Sequence, residues 1–319
     1  MPQFIAQKAD QDRMKEILSW YQMTSSPAQL KNLSRVLNYG RIGGSGKMVI
    51  LPIDQLIEHG PIRSFAPNPS MYDPVNQAQL AVDGGVNAYA APLGSLERAH
   101  EVVVRHNLPT ILKVNSHHMM IPDDENPKLS VHSWVDDAVR LGCEGVGFTI
   151  YPGSAWSNEM EEQARELVAD ARRAGLIVVL WVYPRGEGVP EGKETTTDII
   201  SYGATLGANL GAHIIKVKLP ATEGYGLASN EKLDIYKDVA TETLSDRVKL
   251  VVKSVYDGHR LVIHSGGSTK TTEEVLDEIR ALRDGGAFGS IMGRNVFQRP
   301  TDEAIQLLHD VQDILVGNL

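Results

Sequence analysis

Eight short apolar runs, each followed by a longer amphipathic stretch, divide most of this chain. The runs lie at 48–54 (MVILPID), 86–91 (VNAYAA), 110–115 (TILKVN), 145–150 (GVGFTI), 177–183 (IVVLWVY), 213–218 (HIIKVK), 261–265 (LVIHS) and 288–292 (FGSIM). Runs of this length, rich in β-branched residues and bounded by turn residues, read as strands buried on both faces. Helical periodicity fills the intervals at 73–84, 95–106, 132–142, 155–174, 196–210, 229–243, 271–285 and 301–316. Several of these end at a glycine, Gly84, Gly142, Gly175 and Gly285 among them, as helix C-termini do. Strict strand–helix alternation demands a parallel sheet, and eight units close into a (β/α)8 TIM barrel of ordinary size. A doubly wound open sheet is the alternative. Its dinucleotide-binding form lacks support, because no Gly-x-Gly-x-x-Gly follows the first strand.

Residues 1–45 stand outside this rhythm and form an N-terminal helical extension to the 46–319 barrel domain. Within it, Leu30, Leu33 and Leu37 share one helical face, with Val36 at its edge. Ser26 followed by Pro27 gives an N-cap and a proline at the first helical position. The extension suits a lead-in or a subunit contact, and not a catalytic module.

The charge balance narrows the partners. A net charge of −9 with dispersed Lys and Arg argues against a nucleic-acid surface or an anionic membrane. A local basic pocket for a small anionic substrate stays open. The single Cys143 excludes an intramolecular disulfide framework and fits a reducing compartment. No signal-peptide pattern opens the sequence and no apolar run reaches membrane-helix length, so the expectation is a cytoplasmic protein.

In such barrels the chemistry gathers at the C-terminal ends of the strands. The sixth run places Lys216 and Lys218 two apart inside an apolar strand, hence on one face. Lysine is rarely buried without a partner or a task. Two such ammonium groups would lower each other's pKa, which favours a nucleophilic amine. A strand whose lysines reach out into solvent accounts for the same spacing. Trp181 and Tyr183 share a face of the fifth strand, and Asp54 closes the first. Tyr183 and Asp54 are candidates for proton transfer, and Trp181 for packing beside a pocket. Ser265-Gly266-Gly267 ends the seventh strand, and Gly293-Arg294 follows the eighth. Backbone N–H groups of glycine turns, with a guanidinium beside them, suit phosphate oxygens. His59 reads as a polar pocket wall. A metal-dependent site using His59, His117, His118 or His264 is conceivable, but no HExxH pattern supports it.

Five segments occur together in this order: 51–61 (LPIDQLIEHGP), 180–183 (LWVY), 211–216 (GAHIIK), 265–267 (SGG) and 292–295 (MGRN). Together they resemble the archaeal-type (DhnA-like) class I fructose-bisphosphate aldolases of archaea and bacteria. The resemblance runs from about residue 27 to the C-terminus. It implies a Schiff base on Lys216, general acid/base work by Tyr183 and assistance from Asp54, with Trp181 lining the site. It places substrate phosphate at Ser265, Gly266, Gly267, Gly293 and Arg294, a substrate contact at His59, and a second phosphate near Arg63. Lys218 becomes the neighbour that tunes Lys216. The implied substrate is a phosphorylated sugar, handled without cofactor or metal by a homo-oligomer. Two departures bear on substrate choice. Leu56 stands where many members carry glycine, and some relatives lack a second lysine at Lys218. The same family contains thiolase and transaldolase-like relatives that act on other phosphorylated compounds.

Overall fold

The computed structural model describes residues 8–120, 126–227, 234–267 and 269–319. Its centre is a closed parallel barrel of β1 (Met48–Pro52), β2 (Ala88–Ala91), β3 (Thr110–Lys113), β6 (Gly145–Ile150), β7 (Ile177–Val182), β8 (Ile214–Lys218), β9 (Leu261–Ser265) and β10 (Gly289–Ile291). Each strand pairs with the next in chain order and β10 closes on β1, so the (β/α)8 expectation holds. All eight expected runs contain a barrel strand. The ends differ by a residue or two, because Ile53, Asp54 and Tyr183 turn away into the loops that build the barrel mouth.

One strand leaves the barrel early. After Lys113 the chain peels off into a small antiparallel pair, β4 (Asn115–Ser116) with β5 (Ser130–Val131). The Asn115 side chain stands in for the lost strand pairing. Its amide donates to the Thr149 carbonyl at 2.8 Å and accepts from the Thr149 N–H at 2.7 Å. The buried β6 edge is thereby satisfied without a backbone partner.

The surrounding helices follow the expected intervals with one exception. Thr243 and Asp246 form a capping box that starts a helix at Leu244–Ser254, so no α-helix occupies 234–243. The remainder of the helix expected over 229–243, residues 229–233, lies outside the described residues.

The N-terminal helices α1 (Lys8–Gln22) and α2 (Pro27–Asn38) lie against the opposite end of the barrel from its mouth. Ser26 and Gln29 form a reciprocal cap around Pro27. Gln29 also donates to the Leu176 carbonyl, and the Tyr21 hydroxyl donates to the His213 carbonyl at 2.7 Å. Both carbonyls sit just before strands, which marks this as the N-terminal end of the barrel. Arg35 pairs with the buried Glu144 at 2.7 Å, and Glu144 accepts from the Thr110 N–H. Among the described residues, no helix is long and apolar enough to cross a membrane.

Candidate active site

The strand ends open into a cavity of about 600 Å³ at the C-terminal end of the barrel. Many of the residues singled out from the sequence line it: Asp54, His59 and Arg63 from the first loop, Trp181 and Tyr183 from the fifth strand unit, and Lys216 with Lys218 from β8. Ser265, Gly266 and Gly267 line it as well, as do Gly293 and Arg294.

Lys216 is buried, at 5% exposure, and faces Trp181 across the β7–β8 register. Its Nζ lies 5.4 Å from the Trp181 ring centroid and 5.0 Å from that of Tyr183. Loss of solvent pushes its pKa down to about 8, and Arg294 acts in the same sense. The charges of Asp54 and Glu58 oppose that drop. A large share of neutral amine near neutrality is what a Schiff-base nucleophile requires.

Lys218 has charged neighbours that differ from those of Lys216. Its own pKa is lowered by burial and by Arg185, with Glu194 opposing, while the charges acting on Lys216 are Asp54, Glu58 and Arg294. Two residues along a strand separate the side-chain origins by about 7 Å. Lys218 thus sits nearer the open mouth, with partners of its own.

Burial raises the pKa of Tyr183 well above the usual phenol range, and the Glu58 charge adds to this. A hydrogen bond with Ser265 opposes the rise and links the β7 strand end to the glycine loop after β9. His59 is held below the usual imidazole range by burial and by Arg294 and Arg63, which favours its neutral form.

The glycine loops are built for close approach. Gly267 adopts φ +73°, and the Arg294 guanidinium donates to its carbonyl at 3.1 Å. At Gly293, a Cβ would come within 2.7 Å of Gln55 Nε2. The loop after β10 thus packs closely on the first-strand loop at Gly293, whereas a Cβ at Gly267 would meet nothing within 4 Å. Leu56, the departure noted above, is partly buried against the core rather than part of the cavity wall.

Several groups at the site were not singled out beforehand. Glu58 lies in the first loop beside Asp54, and burial together with that neighbour raises its pKa to about 7. Arg185 continues the alternation of Trp181 and Tyr183, with its guanidinium 4.5 Å from the Tyr151 ring centroid. The alternation Trp181-x-Tyr183-x-Arg185 was the signal for Arg185. Glu58 offered none, because its direction depends on a four-residue helix, Gln55–Glu58. Of the histidines, His59 and His117 line the cavity, whereas His264 is fully buried on the alternate side of β9 from Ser265. Among the described residues no three His, Cys, Asp or Glu side chains converge as a metal-ligand set.

The sequence matches the DeoC/LacD family aldolase model over residues 48–299. A probable class 1 fructose-bisphosphate aldolase from Chlamydia muridarum is 35% identical over 299 residues, covering 89% of this chain and 84% of that protein. The class 1 fructose-bisphosphate aldolase of Thermoproteus tenax is 32% identical over 273 residues, covering 85% and 90%. A solved Schiff-base-forming fructose-1,6-bisphosphate aldolase superposes with a TM-score of 0.73 at 28% identity, covering 89% of this chain and 99% of that one. A buried lysine at the mouth of a parallel barrel thus coincides with a family match spanning that whole barrel, and the chain belongs to the DeoC/LacD family of aldolases, with the archaeal-type class I enzymes among its relatives.

Proposed function

We propose that the protein is a class I aldolase that reversibly cleaves fructose 1,6-bisphosphate into dihydroxyacetone phosphate and glyceraldehyde 3-phosphate. The observation that carries this reading is the buried Lys216 amine, pKa about 8, with its Nζ 5.0 Å from the Tyr183 ring. The neutral amine attacks the C2 ketone, and the carbinolamine loses water to give an iminium. That cation draws the electron pair of the C3–C4 bond as the bond breaks. Tyr183 passes the proton of the C4 hydroxyl, which leaves glyceraldehyde 3-phosphate and an enamine. Protonation at C3 and hydrolysis then release dihydroxyacetone phosphate and free Lys216. Asp54 and Glu58, whose charges act on the amine, are suited to the proton transfers of carbinolamine formation and dehydration.

The anion-binding side of the cavity supports a phosphorylated substrate. Arg294 and the loop of Ser265, Gly266 and Gly267 present donors to one phosphate, and His59 with Arg63 presents a second basic edge. Holding the phosphate lends binding energy to orientation at the reacting carbons. The wild-type chain, treated with borohydride and dihydroxyacetone phosphate, should gain a reduced adduct that peptide mapping assigns to Lys216. An adduct on Lys218, or none, would sink this assignment. A panel of phosphorylated ketoses and aldehydes run in the same assay reads the substrate.

A further inference from the structure

The rim of the cavity carries a sulfur that no step above uses. Met119 follows β4, lines the cavity and is 58% exposed. Among the described residues it is the methionine that both lines the site and meets solvent. Met23 and Met120 are exposed but do not line the cavity, and Met292 lines it but is buried. Met14, Met48, Met71 and Met160 are buried as well.

The Met119 sulfur has a specific neighbour. The Arg63 guanidinium donates from Nη1 to Met119 Sδ at 4.0 Å, across 56 residues of chain. Arg63 belongs to the short helix Pro61–Phe65 and is exposed at the same rim. The contact therefore joins two walls of the mouth, one built by the first loop and one by the chain that leaves the barrel after β3. A thioether is a weak acceptor, so this contact leaves Arg63 available to an anion.

Oxidation changes that balance. The thioether sulfur gives two electrons to hydrogen peroxide; the O–O bond breaks, one oxygen stays on sulfur and the other leaves as water. The product is a sulfoxide, polar where the thioether was apolar. Its oxygen is a strong acceptor carried on the atom that Arg63 already meets. The guanidinium is then held at the rim, and the same oxygen repels a phosphate approaching that edge. The single cysteine, Cys143, is buried, so the thiol does not compete for the oxidant.

We propose that Met119 is a reversible oxidation site that weakens binding of a doubly phosphorylated substrate by capturing Arg63, while Schiff-base formation at Lys216 is kept. The inference rests on the second phosphate meeting Arg63, and adds to that reading a modification that withdraws the contact.

The test treats the full-length enzyme with hydrogen peroxide and follows the gain of one oxygen at each methionine by peptide mapping. Oxidation at Met119 should track a rise of roughly tenfold in KM for fructose 1,6-bisphosphate, the worth of one charge-assisted contact. Borohydride trapping of dihydroxyacetone phosphate, which has one phosphate, should not change. Methionine sulfoxide reductase should restore the KM. Met119→Leu should hold its own KM through the same treatment, whereas Met23→Leu and Met120→Leu should respond to peroxide as the wild type does. Arg63→Met separates the inference from the reading beneath it: this variant should have a raised KM that peroxide moves no further. A wild-type KM in Arg63→Met removes the second-phosphate role of Arg63, and the inference with it. A raised KM in Arg63→Met beside an unchanged KM in enzyme oxidised at Met119 overturns the inference alone. A peroxide effect that survives in Met119→Leu also overturns it.

Discussion

Trp181 and Lys216 are register partners on adjacent parallel strands, and the Lys216 ammonium stands 5.4 Å from the indole centroid. The ring fills the space that water would otherwise occupy around the amine, so packing and reactivity are set by the same contact. Burial is the main cause that brings Lys216 down to about 8. At pH 7 about one amine in ten is then neutral, against about one in three thousand at the ordinary lysine value. The rate of iminium formation should therefore rise with pH through about 8 and level off above it, because the neutral amine is the reacting form. Stopped-time borohydride trapping across pH 6 to 10 measures this; a rate that climbs steadily toward pH 10 would show an unperturbed lysine.

Tyr183 and Lys216 should fail in different ways. Lys216→Ala removes the nucleophile and should abolish both adduct and turnover. Tyr183→Phe keeps the ring against the amine but removes the proton carrier. Turnover should fall by roughly 10²- to 10⁴-fold while adduct formation with dihydroxyacetone phosphate persists. Steady-state kinetics alongside trapping separates the two, and equal loss of both steps in Tyr183→Phe would remove it from the cleavage step.

Arg294 reaches the glycine loop at Gly267 and also depresses Lys216. Arg294→Met should raise KM for a phosphorylated substrate by roughly 10- to 100-fold, the worth of a charge-assisted hydrogen bond. Dihydroxyacetone, which has no phosphate, should lose little. Comparing the two substrates in the trapping assay isolates the anion contact, and a matching loss for both would place Arg294 outside phosphate binding.

The barrel was legible because strand and helix periods alternate so regularly, and the strand-borne groups followed from alternation. Lys216, Lys218, Trp181 and Tyr183 needed only the two-residue period to be placed on the inner face. Loop-borne Glu58 was not legible, since a four-residue helix turns it toward Asp54. The early exit of β3 from the barrel was not legible either, because it depends on Asn115 replacing a backbone pairing. The depth of Lys218 was not legible for a related reason. A shared face says nothing of depth, and one step of two residues carries a side chain from the buried floor toward the mouth. Over 234–243 the expected helix gives way to a local signal, the Thr243 cap, that outranked apolar periodicity.

Gly147 offers the most stringent test of how tightly the site is packed. It faces inward on β6, and a Cβ there would overlap the six-membered ring of Trp181. Backbone and indole are both fixed in the barrel wall, so neither yields without cost. Gly147→Ala should destabilise the fold by about 1–3 kcal/mol, the usual range for overpacking. It should also slow adduct formation, because the displaced indole is the one bordering Lys216. Gly94 supplies the control: it lies in the helix Leu93–His106, and a Cβ there meets nothing within 4 Å. Gly94→Ala should be neutral or gain up to about 1 kcal/mol from helix propensity. Chemical denaturation and trapping of both variants decide the matter, and a Gly147→Ala enzyme as stable and reactive as wild type would show that Trp181 is free to move.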